Sequence, residues 1–274
     1  MPVMIWSEST REELQAALPG SVVVLPTAAT EQHGPHLATG HDTFTVTEIA
    51  HQSAAAAGST ASIVLAPTLS FGSSHHHLPF GGTLSLSTET YSRVVRDLVD
   101  SMIGGGARRV FLLNGHGGNQ ELNQLVARDV ALAQPVDRPL AIGAASYWQL
   151  AAASLAADPA LEGVPAPGHA GRFETATMLA MATERVREPR AERKHDPYRA
   201  EFVPGARVEI TSAWSTFDGY TDFPHLATAE LGEIILTHVI RDVAAALTTF
   251  AGVDVGEGGG SRSTGNSSST TTAW

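Results

Sequence analysis

Cysteine is absent from the 274 residues, so disulfides and thiolate-held metals are excluded, and any metal must sit on nitrogen and oxygen ligands. Charge is sparse as well. Asp, Glu, Lys and Arg make up 16% of the chain, and 17 basic residues stand against 28 acidic ones, for a formal net charge of -11. No Lys/Arg cluster is present to neutralise a phosphate backbone, which argues against nucleic acid as a partner. No apolar run approaches the roughly 20 residues needed to cross a bilayer, and the opening MPVMIWSEST has neither the basic start nor the apolar core of a signal peptide. No membrane association is expected, and the cytoplasm is the expected compartment. What remains is a chain that is 43% apolar and rich in Ala and Gly, long enough to bury a substantial core as a single domain over residues 1–250. Residues 251–274 are rich in Gly, Ser and Thr with almost nothing to bury, and are expected to form a flexible tail.

Apolar, β-branched runs at 21–26, 62–67, 108–115 and 140–146 alternate with segments of helical period at 43–57, 88–104, 119–134, 173–185 and 228–250. Strands alternating with helices predict an α/β fold in which a parallel sheet is covered on both faces. Ligands of such sheets bind outside the carboxyl ends of the strands, where loops carry side chains into a crevice. The polar motifs fall at or near such places.

With no thiolates, histidine is the residue to follow, and eight of the twelve histidines fall in four short segments. ATEQHGPHLATGHD (29–42) brings Glu31 and His33 two residues apart with Asp42 nine further on. Hard oxygen donors with imidazole suit Zn²⁺, Mn²⁺ or Fe²⁺. The plainer alternative is that Asp42 only caps the helix it precedes. FLLNGHGGN (111–119) runs a buried-type strand into a glycine-rich turn, which places His116 at the strand end. A phosphate cradle is the weaker alternative, since the GxGxxG spacing and the Lys-Ser/Thr of a P-loop are both missing. GHAGRFETATM puts His169 in a loop and Glu174 in the first turn of a helix, where one can reach a metal and the other a substrate. FGSSHHHLPFGGT offers His75, His76 and His77, of which at most one is expected to point inward. Glu31, His33, Asp42, His116 and Glu174 together supply three carboxylates and two imidazoles, enough for two divalent ions that share one carboxylate, at a spacing of about 3.5–4 Å.

These four motifs, in this order and spread from about residue 5 to 249, resemble the creatininase family of metal-dependent amidohydrolases. The resemblance implies a three-layer α/β/α sandwich around a mostly parallel sheet and assembly as a homohexamer. It implies two divalent ions, Zn and/or Mn with Fe possible, on Glu31, His33, Asp42 and His116, with Asp42 as the bridge. Creatinine-hydrolysing members carry a glutamate two residues after the strand-end histidine, where this chain has Gly118. Glu174 is the candidate for the missing ligand, with a proton-relay role as its alternative. His169 matches the histidine that protonates the departing nitrogen, and His77 matches the family's single histidine before the GT. The tryptophan and acidic residue that creatinine hydrolases carry ahead of the HA motif are replaced by VPAPG, which leaves Trp148 as the candidate aromatic wall for substrate. The implied reaction is hydrolysis of a C–N bond, other than a peptide bond, in a small cyclic or linear amide by a metal-activated water. Relatives with NGHGGN that act on a peptide or a formamide in cofactor biosynthesis keep other substrates open, as does a metal-binding oligomer without catalysis.

Overall fold

Four apolar runs bounded by small or polar residues become four of the five strands of one sheet in a computed structural model that describes residues 3–193, 208 and 213–256. In chain order the elements are β1 (Met4–Ile5), α1 (Arg11–Ala17), β2 (Val22–Thr27), α2 (His41–Ala57), β3 (Ile63–Leu65), α3 (Thr88–Gly104), β4 (Arg109–Asn114), α4 (Gln120–Ala133), β5 (Ala141–Ser146), α5 (Tyr147–Leu150), α6 (Ala152–Ala157), α7 (Arg172–Ala182) and α8 (Ala229–Ala251). The strands lie in the order β1-β3-β2-β4-β5, and all pairings are parallel. β2 is buried along its whole length, as expected of a central parallel strand covered on both faces.

Side-chain alternation along β2 divides the core in two. Val22 and Val24 face α2, α7 and α8 through Val46, Ile49, Ala176, Ile235 and Val239. Val23 and Leu25 face α3 and α4 through Tyr91, Val95, Val99, Val126 and Val130. Each such side chain, fully buried, contributes about 1.5–3 kcal/mol. Two helical layers around the sheet give the expected three-layer α/β/α sandwich. Local chemistry agrees with it: Ser87 and Thr228 cap α3 and α8, and Thr10 with Glu13 closes a capping box on α1. α7 and α8 cross closely at Gly232, where a Cβ would meet the Ala176 carbonyl oxygen at 2.0 Å.

One expectation needs amending. α8, at 23 residues and with a window hydropathy of 1.5, is long and apolar enough by length and composition to cross a bilayer. Arg241 and Asp242 interrupt its apolar run, which hides that length in the sequence. In the fold, Ile235, Val239, Val243 and Leu247 stand at four-residue steps in the core, the stripe of a helix packed on a sheet. Of the expected tail, Ala251 closes α8 and the next residues return to the sheet's amino edge, where Arg109 donates to the Val253 carbonyl at 2.8 Å and Arg108 to that of Val255 at 3.2 Å. Residues 257–274 lie outside the described residues.

Candidate metal centre

After β2 the chain turns to α2 on one face of the sheet, while after the adjacent β4 it turns to α4 on the other. The two loops part and leave a crevice at the strands' carboxyl ends, the switch point of an open α/β sheet. A buried amide and hydroxyl network floors it. Asn123 donates to Thr27 Oγ1 at 2.8 Å, Thr27 donates to Asn114 Oδ1 at 3.2 Å, and Asn114 donates to the His116 carbonyl at 2.7 Å. Asn119 accepts from the Ser73 N–H and donates to the Ala28 carbonyl, both at 3.0 Å. The polar residues of NGHGGN therefore hold three loops together.

All five expected ligand residues come together in this crevice, each at most 5% exposed. Asp42 is central: its Oδ1 lies 3.0 Å from His33 Nε2 and its Oδ2 3.2 Å from His116 Nδ1. Glu31 Oε1 is 3.1 Å from His116 Nδ1, and Glu174 Oε2 is 3.7 Å from His33 Nε2. The helix-cap alternative for Asp42 does not describe it, because Gly40 is the cap of α2 and Asp42 sits inside the first turn. Glu174 is the third residue of α7 and accepts from the Ala170 N–H at 2.5 Å, with Ala170 held in the left-handed region at φ 47°. That backbone conformation is costly for a residue with a Cβ and is typical of functional loops.

The electrostatics suit a cation at the centre of the cluster. Burial disfavours charge on His33, but Asp42, and behind it Glu174 and Glu31, override burial and lift its pKa to about 10. Burial likewise opposes charge on His116, and Glu31 and Asp42 raise it well above the usual histidine range. Glu174 is held up by burial and by Asp42 and Glu31, against the pull of His33. The three carboxylates thus favour positive charge at their centre. Glu31 Oε2 is buried without a hydrogen bond, and ligand atoms of Glu31, Asp42 and His116, and of His33, His41, Asp42 and Glu174, cluster within 4.8 Å. Such donor sets fit divalent ions.

Around the cluster, His77 is the buried member of the triple run. Its Nε2 is 3.9 Å from Glu31 Oε1, and its ring stacks on His169 at 4.1 Å. His75 turns away to Ser85, but His76 also comes within ligand distance of Glu31 and His77, so two of the three histidines address the site. His169 Nδ1 is 3.7 Å from Glu31 Oε1, and its Nε2 is 3.0 Å from the Gln32 carbonyl. Gln32, missed in the sequence because it carries no charge, has its side-chain amide within 3.0 Å of His77, His169 and the Gly219 carbonyl. Trp148 is not the ring beside these histidines. It packs edge-on to Tyr147 and lines a different cavity, of about 310 Å³, with Leu155, Leu161 and Phe173. The ring against His77 and His169, at 4.7 and 5.4 Å, belongs to Trp214.

A parallel sheet with carboxylates and imidazoles gathered at its switch point is an arrangement found in metal-dependent hydrolases. The family model described as creatinine amidohydrolase matches residues 7–247, and the chain belongs to the creatininase family of hydrolases. It is 30% identical to the mycofactocin precursor peptide peptidase of Mycobacterium ulcerans (strain Agy99), over 85% of this chain and 86% of that one. It is 28% identical to the creatinine amidohydrolase of Pseudomonas putida, over 89% of this chain and 94% of the other. A solved structure designated "Creatininase Mn" superposes with a TM-score of 0.71 at 26% identity, covering 89% of this chain and 97% of that one.

Proposed function

We propose that the chain is a metal-dependent amidohydrolase that cleaves a C–N bond of a small cyclic or linear amide. The observation that carries this is the position of Asp42 between His33 and His116, which lets one carboxylate serve two ions. Glu31, Asp42 and His116 would hold one ion, and His33, Asp42 and Glu174 the other. Zn²⁺ or Mn²⁺ fits these donors, with Fe²⁺ as a further candidate. Bound there, a divalent pair supplies polarisation of a substrate carbonyl and a water acidic enough to attack near neutral pH.

The protein's own part centres on His169. Burial, and then the charge on His33, holds this imidazole well below its usual pKa, so it is neutral. If its Nε2 hydrogen is given to the Gln32 carbonyl, the two Gln32 amide hydrogens are left for Gly219 and for His77 Nδ1. His169 Nδ1 then keeps its lone pair on the side of Glu31, placed to take a proton from the attacking water and return it to the departing nitrogen. His169→Ala is expected to retain its metal content and lose about 10²–10⁴-fold in kcat. Near-wild-type kcat on a substrate the wild type turns over would remove that role.

The protons on His33, His116 and Glu174 give a second expectation. Ions displace protons from these atoms, so metal binding releases a measurable number of protons, and apparent metal affinity rises with pH and falls as the pocket is acidified. Calorimetry in buffers of different ionisation enthalpy measures that number. Zero release would rule out these ligands.

Hydrolysis of a panel of cyclic amides, formamides and short peptides by the metal-loaded chain tests the reaction itself. A short peptide is the second reading, favoured by the Mycobacterium ulcerans relative, a peptide peptidase by name, and by Gly118 where creatinine hydrolases resemble one another in carrying glutamate. Two bound ions with no hydrolysis across the panel would count against both readings and favour a metal-binding protein without catalysis.

A further inference from the structure

His41 has no part in the reaction described above, yet it is the least satisfied polar side chain in the pocket. It opens α2 directly before Asp42, is 1% exposed, and neither ring nitrogen makes a hydrogen bond. Buried polar groups without a partner are rare because the lost hydration is not replaced. Protonation does not supply the partner, since a cation at the amino end of α2 would face the positive end of the helix dipole. The ring is aimed into the cluster. Its centroid lies 4.7 Å from that of His33, its Nε2 is 4.0 Å from Glu174 Oε1, and it shares a 4.8 Å ligand group with His33, Asp42 and Glu174.

We propose that His41 is a further protein ligand of the ion held by His33, Asp42 and Glu174, which makes the two metal positions unequal. The inference rests on the metal-dependent reading above. Four protein donors would match the number that Zn²⁺ takes in closed tetrahedral sites, whereas Glu31, Asp42 and His116 supply three. Glu31 is the carboxylate within 3.9 Å of His77 and 3.7 Å of His169, the two rings that Trp214 packs against, so an ion on Glu31 would be the one nearer those residues. An ion on His33, His41, Asp42 and Glu174 would tie the starts of α2 and α7 to each other through Asp42 and Glu174.

The test uses the full chain, stripped of metal, as wild type, His41→Ala and His41→Leu, the leucine keeping most of the ring's volume in the buried space. Each is titrated with Zn²⁺ and Co²⁺, read as stoichiometry, as affinity by chelator competition and as visible Co²⁺ absorption, with metal-free thermal unfolding as a check on the fold. The wild type is expected to take two ions of separate affinity, the tighter Co²⁺ giving intense four-coordinate bands. Whichever variant folds is expected to weaken that ion at least ~10-fold, to leave the other unchanged and to lose band intensity. Unchanged affinities and spectrum, or equal weakening at both positions, overturn the assignment of His41 and leave the metal-dependent reading standing. A wild-type chain that takes up no ion overturns both.

Discussion

Replacing Asp42 with alanine is expected to leave a folded chain that holds neither ion and has no measurable turnover. Asp42 is the one carboxylate within 3.2 Å of both His33 and His116, so its loss strips a ligand from each position at once. A single-site ligand such as Glu174 would affect one ion first. The fold is expected to survive for an electrostatic reason. Stranding a charged, buried imidazole would cost about 3–5 kcal/mol, but burial is the largest influence on His33 and pulls it down once Asp42 is gone, while His116 keeps Glu31 as its partner at 3.1 Å. Metal analysis should therefore fall from two ions per chain towards none, and kcat/KM by at least about 10³-fold, or about 4 kcal/mol of transition-state stabilisation. Asp42→Asn, which keeps the shape and removes the charge, should behave alike. An alanine variant with two tightly held ions would show that Asp42 is not shared between them.

The fold was legible where burial writes a continuous signal. β2 and β4 lie within a residue of the apolar runs at 21–26 and 108–115, because a strand covered on both faces has no polar side to confuse its pattern; β5 matches the run at 140–146 as closely, although it is a half-buried edge strand. β1 was not legible, since two residues, Met4 and Ile5, hold an edge position through pairing with β3 and carry no pattern of their own. The candidate site divides in the same way. Glu31, His33, Asp42, His116, Glu174, His77 and His169 stand out because titratable side chains are conspicuous in a chain of low charge. Gln32 works through an uncharged amide between two of them, and His41 looks from the sequence like an incidental neighbour of Asp42. Trp214 is 45 residues beyond His169, so no local spacing ties it to the site, whereas Trp148 follows a strand end and merely occupies a plausible position. Chemistry carried by residue type can be read along the chain, while contacts made by tertiary approach cannot.

Adding even one methyl group at position 118 is expected to cost the chain an ion. A Cβ on Gly118 would sit 2.2 Å from the Ser73 carbonyl oxygen and 2.6 Å from His116 Nε2, both far inside contact distance. Ser73 cannot yield readily, because its N–H is held by Asn119, which is tied in turn to the Ala28 carbonyl. His116 is the softer of the two, although its Nε2 also lies 3.1 Å from Ser74 Oγ and from the Ser73 carbonyl. Gly118→Ala should therefore turn His116 away from Glu31 and Asp42, weakening the ion at that position, at a stability cost of about 1–3 kcal/mol, or roughly 2–12 °C in Tm for a chain of this size. The sharper experiment asks whether the carboxylate of the creatinine-hydrolysing pattern can be put back. Glu174→Gln should lose the ion at His33, and adding Gly118→Glu to it should not restore that ion, because a glutamate at 118 meets the same two atoms before its carboxylate reaches anything. Recovery of two ions per chain in the double variant would show that the loop is free to open, and that Glu174 is a replacement of convenience rather than the ligand this backbone requires.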